Sequence, residues 1–203
     1  AARAVAFSLA QRKVAALYIA NRTLKRAQEL GYRALAITDH DNLCGTMEFA
    51  QAARDAGIKA IIGVEVTLKG DHPLTLLSET SEGYKNISRL ITHAHIDAEE
   101  RNNPELDPAL LAEHTKGVIC LSGCREGEIS NLVLRGEVER ATRLARQYRD
   151  WFGAENFFLE LQQNLVKDDT LRNRLMANIA AEIGVGVVAT NNAHYHDVSR
   201  SRL

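Results

Sequence analysis

The residues best suited to chemistry lie in the stretch from 34 to 45, which reads ALAITDHDNLCG. An apolar run typical of a buried strand ends there in Asp39, His40, Asp41 and Asn42. Packing poorly explains a carboxylate and an imidazole side by side at the tip of a buried strand. Metal ligation or acid–base catalysis explains them well, and we assign such a role to Asp39 and His40. Asp41 and Asn42 are better interpreted as caps of the helix that follows.

Glu65 lies in the middle of a second apolar stretch, IIGVEVTL. A carboxylate in a buried strand is unfavourable by several kcal/mol unless it is paired or bound to a cation. It could instead face water from an edge strand, but no other polar residue occurs between Ile61 and Val66, so we favour a ligand. A carboxylate that bridges two metal ions suits phosphoester hydrolysis.

Five other residues carry weaker signals when taken alone. His72 precedes a predicted strand and is typical of a loop histidine. Cys124 follows a Ser–Gly pair and could bind zinc as a thiolate, although a small buried cysteine is the commoner case. His194 and His196 lie on one side of the chain if their loop is extended. Glu160 is a strand-end carboxylate to which the sequence assigns no role.

The remaining cysteines and one pair of histidines are interpreted as non-functional. Cys44 and Cys120 are expected in the core. His93 and His95 fall on a predicted helix, face apart and are expected in solvent. Three cysteines do not form the disulfide framework of a small secreted protein, so we expect a reducing, cytoplasmic location.

Composition excludes several classes of protein. The 203 residues are 45% hydrophobic and 25% charged, which is ordinary for one globular domain. A net charge of −1 predicts no general attraction to nucleic acid or to an anionic membrane. No apolar run approaches a membrane span, and 5% aromatic residues are too few for a base-stacking surface.

Strands and helices alternate along the chain. Strands are predicted at 34–38, 59–68, 74–77, 117–122, 156–161 and 185–190. Helices are predicted at 21–30, 43–56, 81–95, 108–113, 127–134, 137–152 and 168–183, while 4–9 could be either. This order predicts an α/β fold with a mainly parallel sheet. The candidate functional residues follow the carboxyl ends of different strands. Because such ends share one rim only in a closed or distorted barrel, we prefer a barrel to an open sheet.

Four ordered motifs carry a resemblance to a known family. They are RAQELGYRALAITDHDNLCGTMEFAQAARDAGIKAIIGVEVTL, HPLTLLSETSEGYKNISRLIT, GVICLSGCREGEI and VVATNNAHY. Together they resemble the PHP domain at the N-terminus of bacterial DNA polymerase III alpha subunits, and their amino-acid sequences are most similar to those of the error-prone paralogues. The resemblance runs from about residue 24 to the C-terminus. We expect a single domain over 1–203, with an atypical segment at 1–23 and a cut after the last residue.

The resemblance implies a distorted (βα) barrel of about seven mostly parallel strands with a metal cluster at its C-terminal rim. Active members are metal-dependent phosphoesterases that use zinc or manganese, and the parent polymerase uses magnesium. The positions that match the family's ligands are His40, Glu65, His72, Cys124 and His194, and Asp39 is a weaker member of the set. Glu65 and His40 are the residues expected to take part in catalysis.

Two departures from the family pattern predict a degraded site. The family opens with an H-x-H strand that would fall near Ala6 and Ser8, yet no histidine precedes His40 and no carboxylate precedes Glu29. Asn192 occupies the place of a metal-binding aspartate, and a neutral amide is a poorer ligand. We therefore expect partial or absent metal binding.

This loss makes a mainly structural role the favoured hypothesis. The expected partners are the rest of a polymerase chain, DNA through that chain, and replicase or translesion accessory subunits, with no membrane. The alternative is an active metal-dependent phosphoesterase or 3′–5′ exonuclease-type hydrolase, because His40, Glu65, His72, Cys124 and His194 survive. A free-standing phosphatase of a small metabolite fits the polymerase-like wording less well.

Overall fold

The structure is a computed structural model that describes residues 31–98 and 103–190. The predicted helix at 21–30, the atypical segment at 1–23, and the stretch that carries Asn192, His194 and His196 lie outside the described residues.

A six-stranded sheet organises the described chain. Its strands are β1 (Ala34–His40), β2 (Lys59–Leu68), β3 (His72–Ser78), β4 (Val118–Leu121), β5 (Phe157–Gln162) and β6 (Gly186–Thr190), and they lie side by side in this order. The sheet curls into a half-barrel, so the predicted α/β class and barrel-like architecture are confirmed. β1 pairs in parallel with β2, β4 with β5, and β5 with β6.

β3 is the exception to the parallel sheet, because it runs antiparallel to both of its neighbours. A tight turn reverses the chain after β2, with positive φ angles of 92° at Gly70 and 61° at Asp71. β3 begins two residues before its predicted start, at His72, which pairs with Leu68. The reversal has a functional consequence, since it brings the first residue of β3 to the rim where parallel strands end.

Helices cover the convex face of the sheet. They are α1 (Thr46–Asp55), α2 (Ser81–Ile96), α3 (Glu128–Leu134), α4 (Val138–Phe152) and α5 (Asp169–Ile183), with a 3-10 helix at Pro108–Glu113. The main core lies between these helices and outward residues of β2–β5, such as Val66 and Leu76, which are fully buried. None of the described helices is long and apolar enough to cross a membrane.

The concave face carries a smaller cluster built from strand side chains alone. Its buried members are Ala36, Leu77, Leu121, Phe158 and Val188. Because side chains alternate across a strand, residues two positions away along the same strands also point to this face. Glu65 therefore shares the concave face with Ile61, which packs against the cluster, and Glu160 shares it with Phe158.

The predicted N-cap of α1 is wrong. Asn42 and Asp41 do not cap α1, whose N-cap is Gly45 without a side-chain hydrogen bond. Asn42 instead accepts from the Cys44 backbone N–H over 3.0 Å, and Asp41 bonds to β2 as set out below. In α2 the cap is Thr80, whose hydroxyl accepts from the Gly83 N–H.

One expectation about burial is wrong, and one alternative is excluded. Cys120 is buried as expected, but Cys44 is exposed, because it lies in the polar turn between β1 and α1 rather than inside that helix. β2 lies between β1 and β3, so Glu65 does not face water from an edge strand. Its side chain keeps 14% of its surface exposed.

Candidate functional site

His40 and Glu65 form the centre of the candidate site. They are register partners on the parallel strands β1 and β2, and Nδ1 of His40 lies 3.2 Å from Oε1 of Glu65. β1 extends two residues beyond its predicted end, so both side chains project from regular strand positions on the concave face. The imidazole is 60% exposed and the carboxylate 14%, which places the pair at the mouth of the half-barrel.

Asp41 fixes the end of β1 against β2. Its two carboxylate oxygens accept hydrogen bonds of 2.7 Å each from the backbone N–H and the hydroxyl of Thr67. Its own N–H donates to the Glu65 carbonyl over 2.9 Å. The left-handed backbone of Asp41, with φ of 51°, turns the chain away immediately after His40. Sequence reasoning missed this role, because a carboxylate beside a helix is more often a cap.

His72 and Cys124 approach each other through one loop. Nδ1 of His72 lies 3.2 Å from the carbonyl of Glu126, which also accepts from the side-chain amide of Asn131. Cys124 lies in that loop and is 7% exposed. The loop links β4 to α3, so it places Cys124 beside the first residue of β3.

Glycines allow this close approach. A Cβ atom at Gly123, where φ is +82°, would lie 2.2 Å from the carbonyl oxygen of Pro73. A Cβ at Gly127 would lie 2.6 Å from the carbonyl of Ser122 and 3.3 Å from that of Pro73. The backbone after β4 therefore packs directly on the start of β3, and side chains at these two positions would separate His72 from Cys124.

Negative groups gather around Cys124. Burial raises the pKa of its thiol to about 11; a hydrogen bond from the Glu126 backbone opposes this rise, and the carboxylates of Glu65 and Glu160 add to it. A thiol with so high a pKa is protonated at neutral pH, and it would have to lose that proton to bind a metal ion.

Glu160 belongs to a buried polar network that sequence reasoning missed. Its Oε1 accepts from the amide of Gln162 over 2.8 Å and from the hydroxyl of Thr190, while its backbone N–H donates to Ser122 Oγ over 2.9 Å. Burial raises the pKa of Glu160; the two side-chain hydrogen bonds lower it, and Glu65 raises it. The available signal was spacing, since Glu160 and Gln162 lie two apart on a strand and must share a face.

Asp39 and His95 also lie in surroundings that differ from those we expected. Asp39 alternates with His40 along β1, and its Oδ2 would lie 2.8 Å from a Cβ at Gly45, so its carboxylate packs on the helix side. Asp39 is the predicted ligand that this geometry favours least. His95 is exposed as expected, yet its Nε2 lies 2.8 Å from the Asp41 carbonyl, so it borders the rim.

The donor set matches a metal centre only in part. Imidazole nitrogen, carboxylate oxygen and thiolate sulfur suit zinc, and the first two also suit manganese. Within residues 31–98 and 103–190, no three His, Cys, Asp or Glu side chains are arranged to hold a metal ion. The described residues alone therefore do not fit a metal cluster. His194, a further predicted ligand, lies outside them.

Comparison with known proteins identifies the relatives of this chain. An error-prone DNA polymerase from Symbiobacterium thermophilum is 40% identical over 180 residues, which are 81% of this chain and 16% of that protein. The DNA polymerase III subunit alpha of Treponema pallidum is 35% identical over 188 residues, 86% of this chain and 16% of that protein. The chain thus spans about a sixth of the length of these relatives.

Solved structures with little sequence identity share the fold. A candidate metal-dependent phosphoesterase from Bifidobacterium adolescentis matches with a TM-score of 0.55 at 16% identity, covering 88% of this chain and 87% of that one. An amidohydrolase from Chromobacterium violaceum matches with a TM-score of 0.51 at 17% identity, covering 89% and 87%. The family model described as the PHP domain matches residues 16–164. The chain therefore belongs to the PHP domain family.

Proposed function

We propose that this chain is the N-terminal PHP domain of a DNA polymerase III alpha-type replicase, where it mainly supports the polymerase structurally. The supporting observation is the identity of 35–40% to two polymerases that are about six times as long as the matched region. DNA synthesis itself would belong to the rest of such a chain, and DNA and accessory subunits would be partners through it.

The rim would keep a reduced ability to bind a divalent cation. We propose His40, Glu65, His72, Cys124 and His194 as its ligands, with Asp39 as a less favoured member. The approach of His40 to Glu65 and the packing of the Cys124 loop on β3 support this set. When bound, zinc or manganese would polarise a phosphoryl oxygen or lower the pKa of a bound water.

Three sequence features support a structural role over a hydrolytic one. No histidine precedes His40, so the opening H-x-H pair of the family is absent from this chain. No carboxylate precedes Glu29, and Asn192 replaces a metal-binding aspartate. Fewer anionic and imidazole ligands weaken the binding of several cations at one rim.

An active metal-dependent phosphoesterase or 3′–5′ exonuclease-type hydrolase is the second candidate. The contact between His40 and Glu65 at an exposed mouth favours it, because catalysis needs a ligand pair that solvent and substrate can reach. In that case Glu65 would bridge cations, and His40 would hold one of them.

Metal analysis and hydrolysis of a model phosphodiester separate these two functions. The purified protein is loaded with zinc or manganese, dialysed and assayed beside Glu65→Ala and the control Glu48→Ala, which changes an exposed carboxylate on α1. The proposal predicts that the protein binds fewer than two ions tightly. It also predicts that the protein hydrolyses the phosphodiester no faster than the Glu65→Ala variant does. The hydrolase would be established instead if the protein bound two or more ions and hydrolysed the phosphodiester, and if Glu65→Ala but not Glu48→Ala abolished this hydrolysis.

The polymerase assignment has its own test in the reading frame beyond Leu203. The proposal predicts a polymerase segment with its own catalytic carboxylates downstream. A frame that ends without such a segment would contradict it.

A further inference from the structure

Exposed apolar side chains gather in one short stretch after β5. Leu165 is 92% exposed, Val166 49% and Leu171 56%, and we call these three residues the Leu165 patch. In the described parts of the chain only three other large apolar side chains are exposed: Met47, Tyr84 and Ile96. Single exposed apolar residues are normal, whereas a group within seven residues is typical of an interaction surface.

The loop that carries the patch is firmly held. Oδ2 of Asp169 accepts from the backbone N–H groups of Asn164 and Val166 over 2.9 and 3.1 Å. Its Oδ1 lies 2.9 Å from the guanidinium of Arg125, and Asp169 itself is only 2% exposed. Leu165 is therefore held outward by buried hydrogen bonds, rather than being exposed because its loop is loose.

The base of the loop is anchored as well. The carbonyl of Gln162, the last residue of β5, accepts from Arg172 over 2.6 Å and from Asn173 over 2.8 Å. Both donors belong to α5, so strand and helix clamp the loop between them.

The backbone at Leu165 is unfavourable for a leucine. Its φ of 59° lies in the left-handed region, where a bulky side chain crowds the following carbonyl. The left-handed conformation reduces the stability of the isolated fold, and the exposed leucine gains no burial that would offset this loss. Such features persist where the surrounding contacts enforce them, and they cluster at functional surfaces.

The position of the patch points to its occupant. Gln162 and Thr190 are register partners at the ends of β5 and β6, so the last residue of β6 lies at the same edge of the sheet as the base of the loop that carries the patch. The matched relatives are about six times as long as the matched region, so under the proposed function a large further segment would belong to the same polypeptide. We propose that the Leu165 patch docks into an apolar recess on the polymerase portion of the same polypeptide, an inference that rests on the proposed function.

Thiol labelling of the full-length protein tests this docking. Leu165→Cys introduces a thiol at the patch, and Lys85→Cys introduces a control thiol at an exposed site on α2, near the opposite end of the sheet. Each site is followed by mass spectrometry of its peptide during maleimide modification. Docking predicts labelling at position 165 at least about tenfold slower than at position 85, because only the undocked fraction reacts.

Each other outcome overturns the proposal in a distinguishable way. Equal labelling rates in a full-length protein that does contain a polymerase segment overturn the docking alone and leave the proposed function intact. Protection that increases with protein concentration identifies a second copy as the occupant and also overturns it. A full-length chain without a polymerase segment overturns both the docking and the proposed function.

Discussion

Gly123→Ala directly perturbs the packing that places Cys124 beside His72. The added Cβ would lie 2.2 Å from the carbonyl oxygen of Pro73, and this oxygen belongs to the backbone of β3. A side chain could rotate away from such a contact, but a strand carbonyl cannot move without shifting the strand. The loop after β4 must therefore shift away from β3.

Two contributions set the size of the effect. The left-handed backbone, with φ of +82°, is unfavourable for alanine by about 1–2 kcal/mol. Insertion of a methyl group into a filled space adds about 1–3 kcal/mol. We therefore expect Gly123→Ala to lower the free energy of unfolding by about 2–5 kcal/mol.

Gly136→Ala is the matched control, because Gly136 has a similar φ of +78° but no atom within 4 Å of an added Cβ. It retains only the backbone contribution of about 1–2 kcal/mol. Urea unfolding measures both variants, and modification of native thiols reports on the loop, since Cys124 is buried in the folded protein. Equal losses within about 0.5 kcal/mol, with Cys124 unreactive in both, would refute the reasoning.

Two further substitutions probe other parts of the rim. Asp41→Ala removes the two hydrogen bonds from Thr67 and should lower the free energy of unfolding by about 2–4 kcal/mol, whereas Asn42→Ala in the same turn should lower it by about 1 kcal/mol or less. Urea unfolding measures both variants. An equal loss of stability in both would argue against the role of Asp41 in fixing the end of β1 against β2. Burial raises the pKa of Glu160, so the folded state keeps this proton to higher pH than the unfolded state, and stability falls as pH rises above about 4.5. Glu160→Gln should make the decline above about pH 4.5 shallower, and an unchanged dependence of the free energy of unfolding on pH would contradict the assignment.

Much of the fold follows from the sequence because its strands are apolar and bounded by glycine. All six strands begin and end within two residues of their predicted limits. Their burial between helices and the concave cluster produces the uninterrupted apolar runs on which the prediction rested. Helix ends were similarly accurate where glycine followed, as at Gly153 and Gly184.

The apolar pattern of β3 does not reveal its direction, but the short connection between the strands predicted at 59–68 and 74–77 could have done so, since parallel strands need a crossover of about a dozen residues or more. Parallel and antiparallel strands show the same apolar pattern when both faces are buried, and here a tight turn at Gly70 and Asp71 decided the direction. The same limit applies to caps. Asp41 was expected to cap α1, but Thr67, distant in sequence, binds its carboxylate.

The geometry around the candidate residues follows from the sequence only in part. The juxtaposition of His40 and Glu65 follows from two polar residues in neighbouring buried strands, once those strands are in register. The buried network around Glu160 could be predicted only with knowledge of which face of β5 carries the side chain of Glu160. Strand alternation also separates Asp39 from His40, which adjacency in the sequence concealed.

The most direct test of the account is the distance between Glu65 and His194 in a crystal structure of the full-length protein soaked with zinc. Convergence at a single rim predicts that both side chains face the same mouth of the half-barrel. As ligands of one ion, their donor atoms would lie within about 4 Å of each other, since each would be about 2 Å from the metal. His194 at the opposite end of the sheet, or on its helix-covered face, would contradict the central claim.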